Sequence, residues 1–268
     1  MESKSKVFWE GIAKEVGHEY TAESAVMLTS NKLWAEYRDK IEKKHLFQNV
    51  KFNKSMSVLD LGCGAGRWSF EFALRCQNVV AVDFSPTFIE IAKKRAIDNG
   101  FINIDFFCQS IMNFSYLSNR SFDVIFLGGV LQYLNDESVD SLIEKLYHHS
   151  KNGIIVISRD TLSIKNHSGS SGKYPCIYRT QKELVEIFIR NRFSHTCSHE
   201  NMFPPLTLIF YDSLPEILKK GSLPFFKATL SLLVFLNDSL QEQGWLYSLF
   251  LNKLRKTFHM FNYFEIKK

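Results

Sequence analysis

Between Ser57 and Ser158, short runs rich in β-branched and aromatic residues alternate with segments of helical periodicity. Five of the short runs are typical of strands, with the sequences SVLDL, NVVAVD, NIDFFC, FDVIFL and GIIVIS. Parallel strands need a crossover connection, which is usually a helix, so this alternation indicates a parallel sheet covered by helices. The chain is therefore predicted to be an α/β protein.

Capping residues mark where two helices begin. Ser85 is a predicted N-cap, with Pro86 at the first helical position, and Gly100 is predicted to end the same helix. Thr180 and Glu183 have the spacing of a capping box, which predicts a helix over QKELVEIFIRNR. Two strand-like runs follow, FSHTCSHENM and LTLIFYD, and the two prolines between them predict a tight return and an antiparallel edge pair.

The chain divides by composition into three expected regions: a helical cap at 1–50, a core at 51–212 and a C-terminal extension at 213–268. The extension has eight Lys or Arg residues against four acids and is rich in aromatic residues. It is expected to be helical and to contact a membrane surface or a second copy of the chain. The alternative, that its aromatic residues pack on the sheet as ordinary core, stays open.

Composition indicates which binding partners and which cellular compartment to expect. A net charge of +5 without a polybasic cluster in the first two hundred residues does not favour nucleic acid as a partner. The five cysteines are scattered, and the N-terminal sequence has no signal-peptide pattern. The longest apolar run, ATLSLLVFLN, is half of the about 20 residues that span a bilayer. A cytoplasmic protein is expected.

A glycine-rich turn lies where the first predicted strand ends and a helix begins. Asp60 is followed by three alternate glycines, Gly62, Gly64 and Gly66. Glycines let a ligand approach the backbone, and the helix presents free N–H groups at its positive end. Dinucleotide sites use the different spacing G-x-G-x-x-G, and a carboxylate at Asp60 would repel a pyrophosphate. The turn is therefore predicted to bind a cationic ligand, which speaks against a nicotinamide-dependent oxidoreductase.

The second predicted strand ends at Asp83, about twenty residues further on, where its carboxylate is suited to accept both hydroxyls of a ribose. Phe84 beside it offers a flat face for an adenine ring. Together, VLDLGCGAGRWS and VVAVDFSP resemble motif I and its successor in class I S-adenosylmethionine-dependent methyltransferases, over roughly Lys51 to Asp212.

The resemblance implies a Rossmann-like fold, with a seven-stranded, mostly parallel sheet, helices on both faces and an antiparallel last strand. It also implies S-adenosyl-L-methionine as the cofactor and S-adenosyl-L-homocysteine as its product. By similarity, the motif I residues would contact the methionine part, Asp83 the ribose and Phe84 the adenine. The full set of residues expected to bind the cofactor is Asp60, Gly62, Cys63, Gly64, Gly66, Asp83, Phe84, Ser110, Ile111 and Gly128.

Two segments after later strands extend the comparison with the family. The family often has a Gly-Asp-Ala-like triplet after the third strand, where this chain has Gln109, Ser110 and Ile111. Ser110 is expected either to donate a hydroxyl hydrogen bond to the cofactor or to be an ordinary turn residue. After the fourth strand, LGGVLQYL resembles the segment lining the donor pocket, which implies Gly128 near the methionine part and Tyr133 facing the acceptor.

Methyl transfer from a sulfonium depends mainly on alignment, which can lower the barrier by about 7–11 kcal/mol, and needs a base only if the acceptor must lose a proton. The predicted catalytic residues are Asp160, His167 and Tyr133, with Asp160 or His167 as a base. The predicted substrate-binding residues are Arg159, Tyr178 and Arg179, of which the two arginines would hold an anionic acceptor or the carboxylate of the donor.

A metal site at HTCSH is disfavoured because it lacks a second ligand cluster.

The predicted function is methyl transfer to a small molecule, through a hydroxyl of a polar or sugar-containing metabolite. Two alternatives stay open: an N- or C-directed enzyme acting on a hydrophobic or lipid-linked acceptor, and a non-catalytic subunit that binds the cofactor to stabilise a partner. The motif predicts cofactor binding but leaves the acceptor atom unspecified.

Overall fold

The structure, a computed structural model, describes residues 2–16, 32–113, 120–164, 168–169, 176–201 and 257–266. The helices are α1 (Glu2–Val16), α2 (Lys32–Asn49), α3 (Arg67–Ala73), α4 (Pro86–Asp98), α5 (Asp136–His149) and α6 (Gln181–Arg190), with a 3-10 turn at Leu131–Tyr133. The strands are β1 (Ser57–Leu61), β2 (Asn78–Asp83), β3 (Ile104–Cys108), β4 (Val124–Gly128), β5 (Ile155–Ser163), β6 (Ser168–Gly169), β7 (Ile177–Tyr178), β8 (Phe193–Asn201) and β9 (Thr257–Ile266).

Seven strands form one sheet in the order β3-β2-β1-β4-β5-β9-β8. The first five strands are parallel, and β9 runs antiparallel to both β5 and β8. The predicted seven-stranded, mostly parallel sheet is confirmed. The chain proceeds outwards from β1 to β3 and then returns to the other side of β1 as β4. The crevice at the carboxyl ends of β1 and β4 is therefore the topological switch point, where ligands bind in open α/β sheets.

Local signals in the sequence match the structure closely. Both β1 and β2 have the predicted boundaries, the Ser85 side chain accepts a hydrogen bond from the Phe88 N–H, and Thr180 and Glu183 form a complete capping box. β5 extends to Ser163, beyond its predicted end, because β9 pairs with its whole length.

The described antiparallel partner of β8 is the strand β9, near the C-terminus. The run LTLIFYD, predicted to pair with β8 after a tight return at the two prolines, lies outside the described residues, and that pairing stays a prediction. Phe261 and Phe264 in β9 are fully buried, and Phe264 stacks on Phe188 of α6 with ring centroids 3.7 Å apart. The part of the extension that the structure describes is thus a strand of the core rather than a helix. The predicted boundary at residue 212 and the predicted membrane or dimer contact lie outside the described residues.

Successive residues of each strand face opposite sides of the sheet. Leu59, Ile125 and Val156 belong to a core cluster on the side of α5 and α6, whereas Val124 and Ile157 belong to a cluster on the side of α2 and α3. Further along β5 this alternation continues at Arg159 and Asp160, so their side chains leave the sheet on opposite faces. Within the described ranges, no helix has the length and apolar character needed to cross a membrane.

Candidate active site

The glycine turn connects β1 to α3 at the switch point. Gly62, Gly64 and Gly66 all have positive φ angles, of 76°, 52° and 86°, which glycine adopts without steric cost. The Gly62 N–H donates to the Val82 carbonyl at 2.8 Å, and a Cβ at Gly62 would lie 2.0 Å from Cγ1 of Val130. A Cβ at Gly64 would meet no atom of the described chain within 4 Å. Gly62 therefore permits close packing, while Gly64 lies beside open space.

Asp83 at the end of β2 holds this turn in place. One carboxylate oxygen accepts from the Gly64 N–H and the other from the Ser85 N–H, both at 2.9 Å. Burial raises the pKa of Asp83 to about 6, although the backbone hydrogen bonds oppose the shift. The carboxylate thus joins the glycine turn to the start of α4, and each oxygen keeps a second lone pair for a ligand.

Asp60 lies at the end of β1 on the same side of the sheet as α3. One carboxylate oxygen accepts from the Ser69 hydroxyl at 2.6 Å, and the other is buried without a hydrogen-bond partner in the described part of the chain. Burial, together with the nearby charge of Asp83, raises the pKa of Asp60 to about 7. A buried carboxylate oxygen without a partner is costly, so this site fits a ligand that carries positive charge or donates a hydrogen bond.

The raised pKa of Asp60 predicts how the free energy of unfolding depends on pH. The raised pKa of Asp60 means that the folded chain binds more protons than the unfolded chain between about pH 4 and pH 7. Stability contributed by the protonated group is therefore lost as the pH rises through this window. Asp60→Asn removes the titrating group and with it this loss. We therefore expect the free energy of unfolding of Asp60→Asn, relative to that of the unaltered chain, to increase as the pH rises, by at most about 1.4 kcal/mol per pH unit.

Urea denaturation without ligand, at pH 5, 6, 7 and 8, measures this difference. Asp105→Asn is the matched control, because Asp105 is an exposed residue of β3. A constant difference between Asp60→Asn and the unaltered chain across these pH values would contradict the prediction.

The remaining predicted cofactor residues lie at the same edge of the sheet. Phe84 is half-buried directly after β2, and Gly128 ends β4. The Ser110 hydroxyl accepts from the Met112 N–H at 3.3 Å, which is typical of a turn serine, and Ile111 packs against the core. Contacts of Phe84, Ser110, Ile111, Gly128 and Cys63 with a cofactor stay predictions.

Helix α1 lies in the region expected to form a helical cap, and it covers one side of the site. The Glu10 carboxylate accepts from the Ser85 and Thr87 hydroxyls, at the start of α4 and beside Asp83. The Trp9 ring lies edge-on to Tyr133, with ring centroids 5.6 Å apart. The mixture of apolar and charged residues in VFWEGIAKE is typical of a helix with one face on the core.

Arg159 belongs to a buried ion cluster that joins α2 to the sheet. Glu42 of α2 is 0% exposed and pairs with three arginines: Arg38 at 3.0 Å, Arg67 at 2.8 Å, and Arg159. Arg67 also pairs with Asp39 at 2.6 Å and is the first residue of the helix after the glycine turn. The cluster therefore ties the N-terminal cap to the turn, and the predicted contact of Arg159 with an acceptor or with the donor's carboxylate stays a prediction.

Arg179 forms hydrogen bonds within the protein itself in this structure. Its guanidinium donates to the carbonyls of Leu131 and Leu134 and to the carboxylate of Asp136, each at 2.8 Å. These contacts fix the segment that carries Tyr133. The geometry thus favours a positioning role for Arg179 over the substrate contact predicted from the sequence.

Of the two predicted general bases, Asp160 and His167, the structure describes Asp160, in an enclosed position. Asp160 is only 2% exposed and accepts from the Ser158 hydroxyl at 2.6 Å. Burial raises its pKa to about 6, but the carboxylate is enclosed on the opposite face from Arg159. His167 lies outside the described residues. Tyr178 is half-buried in β7, so its substrate contact, like the two base roles, stays a prediction.

Comparison with known proteins places this site in a family. Residues 58–153 match the model of a family described as Methyltransferase domain. Phosphoethanolamine N-methyltransferase 3 of Arabidopsis thaliana is 27% identical over 186 residues, covering 66% of this chain and 37% of the relative. The chain spans little more than a third of the length of the curated plant relatives that it matches.

Two solved structures show the same fold. The [4+2]-cyclase SpnF has a TM-score of 0.60 at 16% identity, covering 87% of this chain and 83% of that chain. Phosphoethanolamine N-methyltransferase 1 of Haemonchus contortus, solved with phosphoethanolamine and S-adenosylhomocysteine, has a TM-score of 0.58 at 18% identity, covering 69% and 39%. The motifs, the sheet order and the family match together identify residues 58–153 as a methyltransferase domain of the class I, S-adenosylmethionine-dependent family.

Proposed function

We propose that this chain transfers a methyl group from S-adenosyl-L-methionine to a small polar molecule, forming S-adenosyl-L-homocysteine. The observation that carries the proposal is the pair of buried carboxylates beside the glycine turn. Asp83 organises the turn through backbone N–H groups, and Asp60 keeps a buried oxygen without a partner in the described chain. Both features suit a ligand with hydroxyls at one end and positive charge at the other.

Each part of the cofactor has a counterpart in the chain. Asp83 would accept hydrogen bonds from the ribose hydroxyls through its remaining lone pairs, and Phe84 would lie against the adenine. Asp60 would face the positively charged methionine part, and the open side of Gly64 would let it approach the backbone. When bound, the cofactor supplies an electrophilic methyl group on a positively charged sulfur.

The acceptor atom is proposed to be an amine nitrogen rather than the hydroxyl expected from the sequence. A neutral amine can attack before it loses a proton, whereas a hydroxyl acceptor needs a base. Asp160 is enclosed, which disfavours a direct role as that base. The names of the plant relatives, phosphoethanolamine N-methyltransferases, also support an amine.

Mass spectrometry can test transfer and acceptor together. We expect incubation with methyl-labelled S-adenosylmethionine and phosphoethanolamine, ethanolamine or a metabolite extract to yield an acceptor heavier by one labelled methyl in place of hydrogen. Fragmentation then locates the label on nitrogen or oxygen. Label on oxygen alone would overturn the amine assignment but keep methyl transfer. Binding of S-adenosylhomocysteine without transfer to any component would instead identify a non-catalytic subunit.

A further inference from the structure

We propose that Gln132 is a positioning residue that sets the direction of the Tyr133 hydroxyl. Its side-chain amide lies between the backbone of β5 and the phenol oxygen of Tyr133. The inference rests on the proposed function in one respect, namely that Tyr133 faces the methyl acceptor. The arrangement of Gln132 itself follows from hydrogen-bond chemistry alone.

The orientation of the Gln132 amide is fixed by its backbone neighbour. The Thr161 N–H lies 3.3 Å from Oε1 of Gln132, and a backbone N–H can only donate. The end of the amide that faces β5 must therefore be the oxygen. The Nε2 group is then at the other end, where it donates to the Tyr133 hydroxyl oxygen at 2.8 Å.

Burial makes the reversed amide costly. Gln132 is 8% exposed, and a flipped side chain would place its NH₂ group against the Thr161 N–H. A buried donor left without an acceptor costs about 1–3 kcal/mol. The guanidinium of Arg179 also holds the same turn through the Leu131 carbonyl at 2.8 Å. The Thr161 N–H therefore fixes the orientation of the Gln132 amide, and Arg179 fixes the turn that carries it.

This orientation constrains the proton of Tyr133. Because the phenol oxygen accepts from Gln132, its own O–H must be directed away from Gln132. The Trp9 ring stands edge-on to the phenol ring and limits its movement from the side of α1. Under the proposed function, this hydroxyl would donate to a methyl acceptor with a lone pair on nitrogen or on an anionic oxygen. In this arrangement Tyr133 aligns the acceptor rather than removing its proton.

Tyrosine ¹³C NMR on the full chain tests this inference without the methyl acceptor. Labelling at Cζ, with the Tyr133 signal identified by its loss in Tyr133→Phe, reports the titration of this hydroxyl. Gln132→Leu removes an N–H that stabilises the ionised phenol, so we expect Tyr133 to titrate at higher pH than in the unaltered chain. Gln132→Glu places a negative charge at the same position, and we expect a larger rise, of about one to three pH units.

Gln77→Leu is the matched control, because Gln77 is exposed at the opposite end of β2 and should leave the titration of Tyr133 unchanged. An unchanged titration and Cζ shift in Gln132→Leu would overturn the inference. Calorimetry with S-adenosylhomocysteine on the same samples tests the proposed function separately. If the unaltered chain fails to bind that compound, the proposed function fails while the result for Gln132 stands. We expect Gln132→Leu to bind it within twofold of the unaltered chain.

Discussion

Replacing Glu42 with alanine is expected to lower the free energy of unfolding by about 3–5 kcal/mol, because the change leaves buried arginines without their counter-charge. Arg38, Arg67 and Arg159 converge on this carboxylate, and Glu42 has no exposed surface. Like charges already oppose one another in the cluster: burial, together with the charges of Arg159 and Arg67, lowers the pKa of Arg38 to about 9 despite the attraction of Glu42. Removing the Glu42 carboxylate would leave the repulsion among the three arginines without a compensating negative charge.

Urea denaturation followed by circular dichroism measures the loss of stability. Glu186→Ala is the matched control, since Glu186 pairs with Lys182 at 3.8 Å on the exposed surface of α6, where such pairs contribute less than about 1 kcal/mol. Glu42→Gln keeps the shape of the side chain and serves as the milder variant if Glu42→Ala does not fold. A loss below about 1 kcal/mol in Glu42→Gln, equal to that of the control, would show that the cluster does not depend on this charge.

Replacing Asp83 with alanine is expected to weaken binding of S-adenosylhomocysteine by about ten- to a hundredfold. Hydrogen bonds to a charged group contribute about 1.5–3 kcal/mol, and each 1.4 kcal/mol corresponds to about a tenfold change in affinity. The change also leaves the N–H groups of Gly64 and Ser85 without the acceptor that now holds the turn. Loss of the ribose contact and disorder of the turn therefore act in the same direction.

Isothermal titration calorimetry gives the affinity. The control is Asp105→Ala, which removes an exposed carboxylate of β3 that pairs with Arg120 at 2.7 Å and should leave the affinity unchanged. Circular dichroism of both variants checks that each is folded. Equal affinities for Asp83→Ala and the unaltered chain would exclude the proposed ribose contact.

Features with local causes were predictable from the sequence. The boundaries of β1 and β2, the N-cap at Ser85 and the capping box at Thr180 depend on residues close together in the chain. The turn after β1 is equally local, because the positive φ angles follow from the glycines themselves. The glycine turn and the placement of Asp60 and Asp83 beside it could therefore be predicted from two short motifs.

Features that depend on distant partners could not be predicted in this way. Nothing in the periodicity of TFHMFNYFEI selects β5 as its neighbour, yet Ile155 pairs with Glu265. Glu42 lies in the charged stretch EYRDKIEKK, whose composition is typical of a solvated helix, and only the approach of Arg159 shows that it is buried. Gln132 gave no signal either, because its role depends on the backbone of Thr161.

The position of β9 in the sheet has a consequence for biosynthesis. β8 borders β9, and β9 is translated after every other strand of the sheet. Until residues 257–266 have been translated, the edges of β5 and β8 that pair with β9 have no partner among the other described strands. The described sheet is completed only when residues 257–266 emerge, and unpaired strand edges of this kind favour pairing with other chains before then.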